Sequence, residues 1–105
     1  MVFISRQAKV DLDNIFIGML EWNKMELSVE FAEKYIDALV EQCYFLEKNF
    51  YHANAVYPEH KKHGNKVHKY RRNAHTTWYI IYNTDSYNNI FVNKIISNHL
   101  TTNKL

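Results

Sequence analysis

The chain has 105 residues, of which 47% are apolar and 15% aromatic, and it carries a net charge of +2, which together predict one domain, residues 1–105, with a single hydrophobic core. The only cysteine, Cys43, excludes an internal disulfide and fits a reducing compartment. No stretch approaches the roughly 20 apolar residues that cross a bilayer, and Asp11 and Asp13 interrupt the region where a signal peptide would be apolar, so we expect a soluble cytoplasmic protein with no membrane partner.

Two helices are predicted in the first half of the chain. Val2–Ile4 can form a short strand, and Ser5 after it is a favourable N-cap for a first helix, which we expect to end near Asn23. Ser28 caps a second helix, along which apolar residues recur at helical spacing as far as Phe50. The short connection favours an antiparallel helical hairpin whose apolar stripe faces the core.

Residues 51–65 interrupt the helical pattern. Pro58 and Gly64 punctuate a polar stretch, which predicts a loop, or a short turn of helix followed by a loop. His60 and His63 superficially resemble a pair of metal ligands, but no cysteine accompanies them and the helical His-Glu-x-x-His pattern is missing. We therefore expect a solvated loop, with no metal and no other cofactor.

The rest of the chain has the texture of strands. Residues 66–73 alternate loosely, residues 76–83 are rich in β-branched and aromatic side chains, and residues 90–97 form another such run after a turn-forming sequence. These runs predict three consecutive strands in an antiparallel meander, with the first strand of the chain added beside one of them. The predicted fold class is α+β in the order β-α-α-β-β-β, a small antiparallel-dominated sheet with the helical hairpin packed on one face.

Two of the predicted strands carry apolar residues on both faces. Residues 78–82 read Trp-Tyr-Ile-Ile-Tyr, and residues 90–96 show the same property. Helices can bury only one face of such a small sheet. We expect the other face to be a partly apolar, concave surface rimmed by cations, of the kind that marks a binding site. The alternative is that the C-terminal tail or a second copy of the chain covers it.

Charge is distributed unevenly along the chain. Residues 1–50 hold five Lys and Arg against nine Asp and Glu, a net charge of −4. Residues 51–105 hold eight Lys and Arg against two acids, a net charge of +6, and all six histidines. A basic half of this kind favours an acidic or polyanionic partner. A solvated basic face without a partner accounts for the same composition.

Two stretches carry a resemblance to a known family. The first is the pattern I-S-x-x-A-x-x-D-L-x-x-I over residues 4–15, and the second is W-Y-I-I-Y over residues 78–82, followed by a turn and I-F-V-x-K-I-I over residues 90–96. In order and spacing they resemble the opening strand and helix, the central "YRIIY" strand and the following strand of the RelE/ParE superfamily of toxins from type II toxin–antitoxin systems. The resemblance spans residues 2–99 and implies the same β-α-α-β-β-β fold.

The resemblance implies a toxin that arrests growth and stabilises plasmids, and a cognate antitoxin that neutralises it. RelE-type members cleave mRNA on the ribosome, whereas ParE-type members act on DNA gyrase without a nuclease site. The chain has Tyr79 where the family often has Arg, Ser97 where a His is common, and His99 where an Arg often follows. Whether the protein is an enzyme therefore stays open, as do its specificity and oligomeric state, and a degenerate toxin fold that only binds is a further alternative.

RNA cleavage by an adjacent 2′-hydroxyl needs an acid, a base and cations for the developing charge. His75 and His99 are candidates for the acid and the base, and Arg71 and Arg72 for the phosphate clamp, although adjacent residues of a regular strand point to opposite faces. Five further residues are candidates for binding substrate, either by charge or by stacking on a base: Lys66, Lys69, Tyr79, Tyr82 and Lys94. Each of these side chains also has an ordinary use in a sheet or on a solvated surface.

Overall fold

The structure, a computed structural model, describes residues 1–22 and 28–98, so the expected helix end near Asn23 lies outside the described residues. The α+β class and the order β-α-α-β-β-β are confirmed, with a short helix in the segment 51–65, as the sequence allowed. The elements in chain order are β1 (Val2–Ile4), α1 (Arg6–Trp22), α2 (Val29–Phe45), a 3₁₀ turn (Leu46–Lys48), α3 (Pro58–Lys61), β2 (Lys66–Arg71), β3 (Thr77–Thr84) and β4 (Ile90–Ser97).

The four strands form one mixed sheet in the order β1-β4-β3-β2. Strands β2, β3 and β4 make the predicted antiparallel meander, and β1 runs parallel to β4, with Val2 opposite Ile90. In the antiparallel pair of β2 and β3, Lys69 lies opposite Tyr79 and Arg71 opposite Thr77. Strand β2 is consequently at the edge of the sheet, with the basic run of the sequence along it.

Both long helices begin at the serines that the sequence predicted. The hydroxyl of Ser5 accepts the N–H of Ala8 at 3.1 Å, and the hydroxyl of Ser28 accepts the N–H of Phe31 at the same distance, which satisfies amides that a helix start leaves unpaired. The apolar stripes of α1 and α2 pack on one face of the sheet, called here the helix face. Its buried core consists of Ala8, Leu12, Leu39, Cys43, Leu46, Trp78, Ile80, Tyr82, Ile90, Val92 and Ile95.

Helix α1 also protects an edge of the sheet. Strand β1 ends opposite Val92, so the outer side of β4 beyond that residue has no strand beside it among the described residues. Here the buried carboxylate of Asp11 accepts the N–H of Ile95 at 3.0 Å, and Ser5 donates to the carbonyl of Asn93 at 3.4 Å. These bonds pair backbone groups that would otherwise be left without partners.

The segment that follows α2 pairs with the outer edge of β2 and then covers part of the opposite face of the sheet, called here the second face. The N–H of Val67 donates to the carbonyl of Ala53, and the N–H of Ala55 donates to the carbonyl of Asn65, both at 2.9 Å. Ala55 packs into a second small core with Val67, Ile81 and Ile96. This part of the second face is therefore buried and is not the open apolar surface that was expected. At the other end of the same face the stacked rings of Phe3 and Phe91 remain partly exposed.

None of the helices in the two described stretches is long and apolar enough to span a membrane.

Candidate functional site

Strand β2 distributes its side chains between the two faces in strict alternation. Val67 belongs to the core of the second face, whereas His68 bonds to Gln42 of α2 and Tyr70 packs against the core of the helix face. Alternation therefore places Lys69 and Arg71 on the second face with Val67. The predicted binding residue Lys69 and the predicted catalytic residue Arg71 are thus neighbours on one surface, and both are exposed.

Tyr79, another of the predicted binding residues, lies on the same face of the sheet as these cations. It lies directly opposite Lys69 in the antiparallel pair, and its ring packs beside the small core of the second face. A directly opposed pair on one face of a sheet is within contact range of long side chains. A half-buried aromatic ring beside an ammonium group is an arrangement that can receive a base together with its phosphate.

A histidine that the sequence did not single out as functional completes this cluster. The His60 ring lies 4.8 Å from the Tyr79 ring and 5.4 Å from the Tyr57 ring, and only 3% of the residue is exposed. Burial is the main cause that lowers the pKa of His60, while the Glu59 carboxylate opposes this effect and the Lys69 ammonium adds to it. A neutral imidazole therefore sits beside the cation at neutral pH. We name His60, Lys69, Arg71 and Tyr79 the second-face cluster.

Local sequence explains why His60 reaches the sheet. Pro58 occupies the first turn of α3, where its missing N–H is harmless, and the carbonyl of Tyr57 accepts the N–H groups of His60 and Lys61 at 2.9 Å. After the helix, Gly64 passes so close to β3 that an added Cβ would lie 2.9 Å from the carbonyl oxygen of Tyr82. The prediction of a solvated loop around His60 was therefore wrong, because the proline starts a helical turn and the glycine presses it onto the sheet.

The two adjacent arginines point to opposite faces, which confirms the expectation from strand geometry. The guanidinium carbon of Arg72 lies 4.3 Å from the centre of the Tyr35 ring, and Nη1 donates to the hydroxyl of Tyr70 at 3.1 Å. Arg72 is thereby held against α2 on the helix face. The structure brings Arg71, but not Arg72, into the second-face cluster.

Two further candidates have partners within the protein. Nζ of Lys94 lies 2.9 Å from Oδ1 of Asp11, and the Lys94 side chain is only 20% exposed. Nζ of Lys66 donates to Oδ1 of Asn54 at 2.7 Å, on the segment that pairs with the outer edge of β2. Lys94 thus forms an internal ion pair with Asp11 of α1, and Lys66 holds the chain that leaves α2 against β2.

Tyr82 lies on the helix face and is only 1% exposed. Its hydroxyl is 2.7 Å from Nδ1 of His52, and burial raises the pKa of Tyr82 to about 12. The phenol consequently stays protonated, and its polar end is occupied. Its position excludes stacking in the second-face cluster, although the ring contributes to a pocket at the edge of β2.

The histidine candidates for acid and base differ in position. His75 is exposed in the turn between β2 and β3, where Oδ1 of Asn73 accepts the N–H groups of His75 and Thr76 at 2.9 Å. Within residues 1–22 and 28–98, no ring contact or hydrogen bond joins His75 to His60 or Tyr79. His99 lies outside the described residues.

A pocket of about 380 Å³ opens at the outer edge of β2, between that strand and the chain leaving α2. It adjoins the second-face cluster through Lys69. The residues that line it are Asn49, Tyr51, Ala53, Val67, His68, Lys69 and Tyr82.

Exposed apolar side chains concentrate on the same segment. Between the last turn of α2 and α3, six large apolar residues are more than half exposed: Tyr44, Phe45, Phe50, Tyr51, Val56 and Tyr57. Apolar exposure at this density is typical of surfaces that meet a partner. Exposed apolar surface is thus found on this segment as well as on the second face of the sheet, where Phe3 and Phe91 stack at 5.3 Å.

Within residues 1–22 and 28–98, no three His, Cys, Asp or Glu side chains converge as metal ligands. What the second-face cluster offers is two cations, an aromatic ring and a neutral imidazole. The sequence could have indicated His60 through its spacing from Pro58 and Tyr57, which predicts a short helix with the imidazole on the same side as an aromatic ring.

A comparison of the chain with protein-family models, with curated proteins and with solved structures found no match. The membership of the RelE/ParE superfamily accordingly stays a prediction that rests on residues 4–15, 78–82 and 90–96.

Proposed function

We propose that this protein is the toxin of a type II toxin–antitoxin system of the RelE/ParE type, that it arrests growth by cleaving mRNA on the ribosome, and that a cognate antitoxin neutralises it. The observation that carries the proposal is the second-face cluster, in which Lys69 and Arg71 share one surface with Tyr79 and the neutral imidazole of His60. The β-α-α-β-β-β order supports the family.

The proposed reaction uses the 2′-hydroxyl of the RNA as its nucleophile. The 2′-oxygen bonds to phosphorus while its proton passes to the neutral imidazole of His60, and the bond from phosphorus to the 5′-oxygen breaks. The products are a 2′,3′-cyclic phosphate and a 5′-hydroxyl, whose proton comes from water or from the phenol of Tyr79. Lys69 and Arg71 stabilise the negative charge that develops on the phosphate oxygens.

Access to His60 is the structural requirement of this mechanism. The imidazole is nearly fully buried, and the exposed ring of Tyr57 packs edge-on against it at 5.4 Å. RNA must displace the Tyr57 ring to bring a 2′-hydroxyl to the imidazole. Docking on the ribosome would supply the energy for that displacement, which fits an enzyme that cuts only there.

The surface also suits a neutralising partner. Residues 51–105 carry a net charge of +6, and within the described residues no strand lies along the outer edge of β2 beyond Val67. An extended acidic segment can add to such an edge through main-chain hydrogen bonds while its carboxylates meet Lys69 and Arg71. The exposed Phe50 and Tyr51 offer apolar contacts beside the same edge.

Induction of this chain in a bacterial host, alone and together with the neighbouring reading frame, tests the class. We expect growth arrest that the neighbour relieves, and message cut in the decoding site when the purified protein is added to ribosomes. Arg71→Gln should abolish cleavage while Arg72→Gln, the matched change on the helix face, preserves it. Intact message at high toxin concentration, with ribosomes present, would contradict the nuclease.

A second candidate is a ParE-type inhibitor of DNA gyrase. Arg72 and Lys94 both contact other residues of the protein, so fewer cations are exposed to bind a phosphate than the sequence predicted. This observation favours the gyrase inhibitor. DNA-damage signalling after induction, with message intact, would select this alternative. Tight antitoxin binding without growth arrest would instead indicate a fold kept only for binding.

A further inference from the structure

The pocket at the outer edge of β2 has no role in the reaction proposed above, although Lys69 belongs to both. At about 380 Å³ it falls in the range of small-ligand sites, roughly 300–1,000 Å³. It forms because the chain leaving α2 runs from Asn49 to Ala53 alongside the strand and bonds to it only at Val67. A gap is left between that segment and the rest of the strand.

Two aromatic rings contribute to the walls in different ways. Tyr82 is 1% exposed and its hydroxyl is held by His52, so it presents a fixed ring. Tyr51 is 77% exposed and free to lie over an occupant. Tyr51 and Tyr82 thus give the pocket apolar surface of the kind that accepts a flat ring, while the side chain of Val67 belongs to the core of the second face.

The polar groups of the lining match the edge of a base. Nε2 of His68 is 2.9 Å from Oε1 of Gln42, and burial lowers the pKa of His68, so the ring is neutral. With the carbonyl oxygen of Gln42 as acceptor, Nε2 carries the proton and Nδ1 is left as an acceptor. The amide of Asn49 supplies both a donor and an acceptor, and Lys69 supplies a cation.

We propose that this pocket binds one unstacked base of single-stranded RNA, with Tyr51 stacked on the base and Lys69 on the adjacent phosphate. The inference deepens the proposed function and rests on it, because it assigns to the same RNA a second point of contact beside the second-face cluster. Sequence-specific recognition of RNA commonly uses unstacked bases, stacked on aromatic side chains and bonded along their edges. Preference for one base would then come from Asn49 and His68.

Fluorescence anisotropy with labelled hexaribonucleotides tests the pocket, with a hexamer of the same backbone that lacks bases as reference. The wild-type protein should bind the hexamer with bases more tightly, and Tyr51→Ala should remove that difference, a loss of roughly 5- to 150-fold. Tyr51→Phe should keep the difference. Tyr87→Ala is the matched control, because Tyr87 is also largely exposed but lies in the turn between β3 and β4.

The outcomes separate the pocket from the proposed function. Equal affinity of the wild-type protein for hexamers with and without bases would overturn the pocket while leaving mRNA cleavage in force. Absence of any RNA binding, together with uncut message on ribosomes, would overturn both. Free nucleoside monophosphates that bind as tightly as the hexamer would assign the pocket to a free nucleotide and overturn its assignment to RNA.

Discussion

Nζ of Lys94 lies 2.9 Å from Oδ1 of Asp11, and the second oxygen of the same carboxylate accepts the N–H of Ile95 at 3.0 Å. Gln7, one turn earlier in α1, donates to Oδ1 at 3.0 Å. One buried carboxylate thus holds α1 against the free edge of β4 and neutralises a strand lysine. The charge of Lys94 is used within the fold and contributes little to a surface for phosphate.

Removal of the Asp11 carboxylate should destabilise the protein strongly. Asp11→Ala leaves the Lys94 ammonium and the Ile95 N–H without their partner in a mostly buried place, and we expect a loss of about 3 kcal/mol in the free energy of unfolding. Urea denaturation measures it. The exposed Asp13 is on the same helix, and Asp13→Ala should change stability by less than about 0.5 kcal/mol.

Comparable losses from the two substitutions would show that Asp11 does not hold the edge of the sheet. Lys94→Met gives a second check, because it leaves the bond from Ile95 to Asp11 in place and should be less harmful than Asp11→Ala.

The elements that the sequence predicted correctly have local causes. Ser5 and Ser28 start helices because a hydroxyl in that position satisfies an amide of the next turn, and this can be recognised from neighbouring residues alone. The opposite orientation of Arg71 and Arg72 follows from the period of a strand. Such rules need no knowledge of what lies across the sheet.

The residues that the sequence placed poorly depend on distant parts of the chain. The sequence suggested that Lys94 is a free cation, because its partner Asp11 lies 83 residues away and only the tertiary fold brings the two side chains together. His60 counted as solvated because its burial depends on contact with Tyr79 of β3. Composition predicts that a basic half exists, but only packing decides which cations remain exposed.

Acid should weaken the fold through its buried imidazoles. Burial lowers the pKa of both His60 and His68 below the value of 6.5 that an unfolded chain retains. Below about pH 6.5 the unfolded state therefore binds more protons than the folded state. The stability that the two neutral imidazoles contribute is fully present above that pH and falls as the pH drops through it. Urea denaturation at about pH 7.5 and about pH 5.5 measures the difference.

His60→Gln should make this drop smaller, since it removes one of the two groups, whereas His75→Gln in the exposed turn should leave it unchanged. Asp85 does not interfere in this range. The side-chain bond from Asn89 lowers the pKa of Asp85 below 3.8, so its effect on stability is confined to more acidic solutions. A drop of the same size in the wild-type protein and in His60→Gln would contradict the buried neutral imidazole.

Gly64 should be intolerant of any side chain. A Cβ there would meet the backbone oxygen of Tyr82 at 2.9 Å, so Gly64→Ala must shift α3 away from the sheet, and we expect a loss of about 2 kcal/mol. Gly18 provides the opposite case, because a Cβ at that helical position meets nothing within 4 Å. Gly18→Ala should raise stability by up to about 1 kcal/mol.

Thermal unfolding of both variants gives the comparison. The proposed RNA cleavage, measured with Gly64→Ala at a temperature where it stays folded, gives a second result. Cleavage should fall with the stability, because displacement of α3 moves His60 away from Tyr79. A Gly64→Ala protein with unchanged melting temperature would show that the approach of Gly64 to β3 does not hold α3 in place.

The adjacent arginines permit a direct separation of function from stability. Arg72→Gln removes the contact with the Tyr35 ring and the bond to Tyr70, and should lower the free energy of unfolding by about 1 kcal/mol. Arg71→Gln removes an exposed cation and should change stability by less than about 0.5 kcal/mol. RNA binding should show the reverse order, because only Arg71 faces the second-face cluster.

The salt dependence of RNA binding makes this comparison quantitative. Each phosphate contact contributes roughly 0.7 to the slope of log affinity against log salt for a single strand, so Arg71→Gln should reduce the slope by about that amount, and Arg72→Gln should leave it unchanged. Titrations of the three proteins with one hexaribonucleotide at several salt concentrations provide the slopes. An equal reduction of the slope in both variants would contradict the assignment of RNA binding to Arg71 alone.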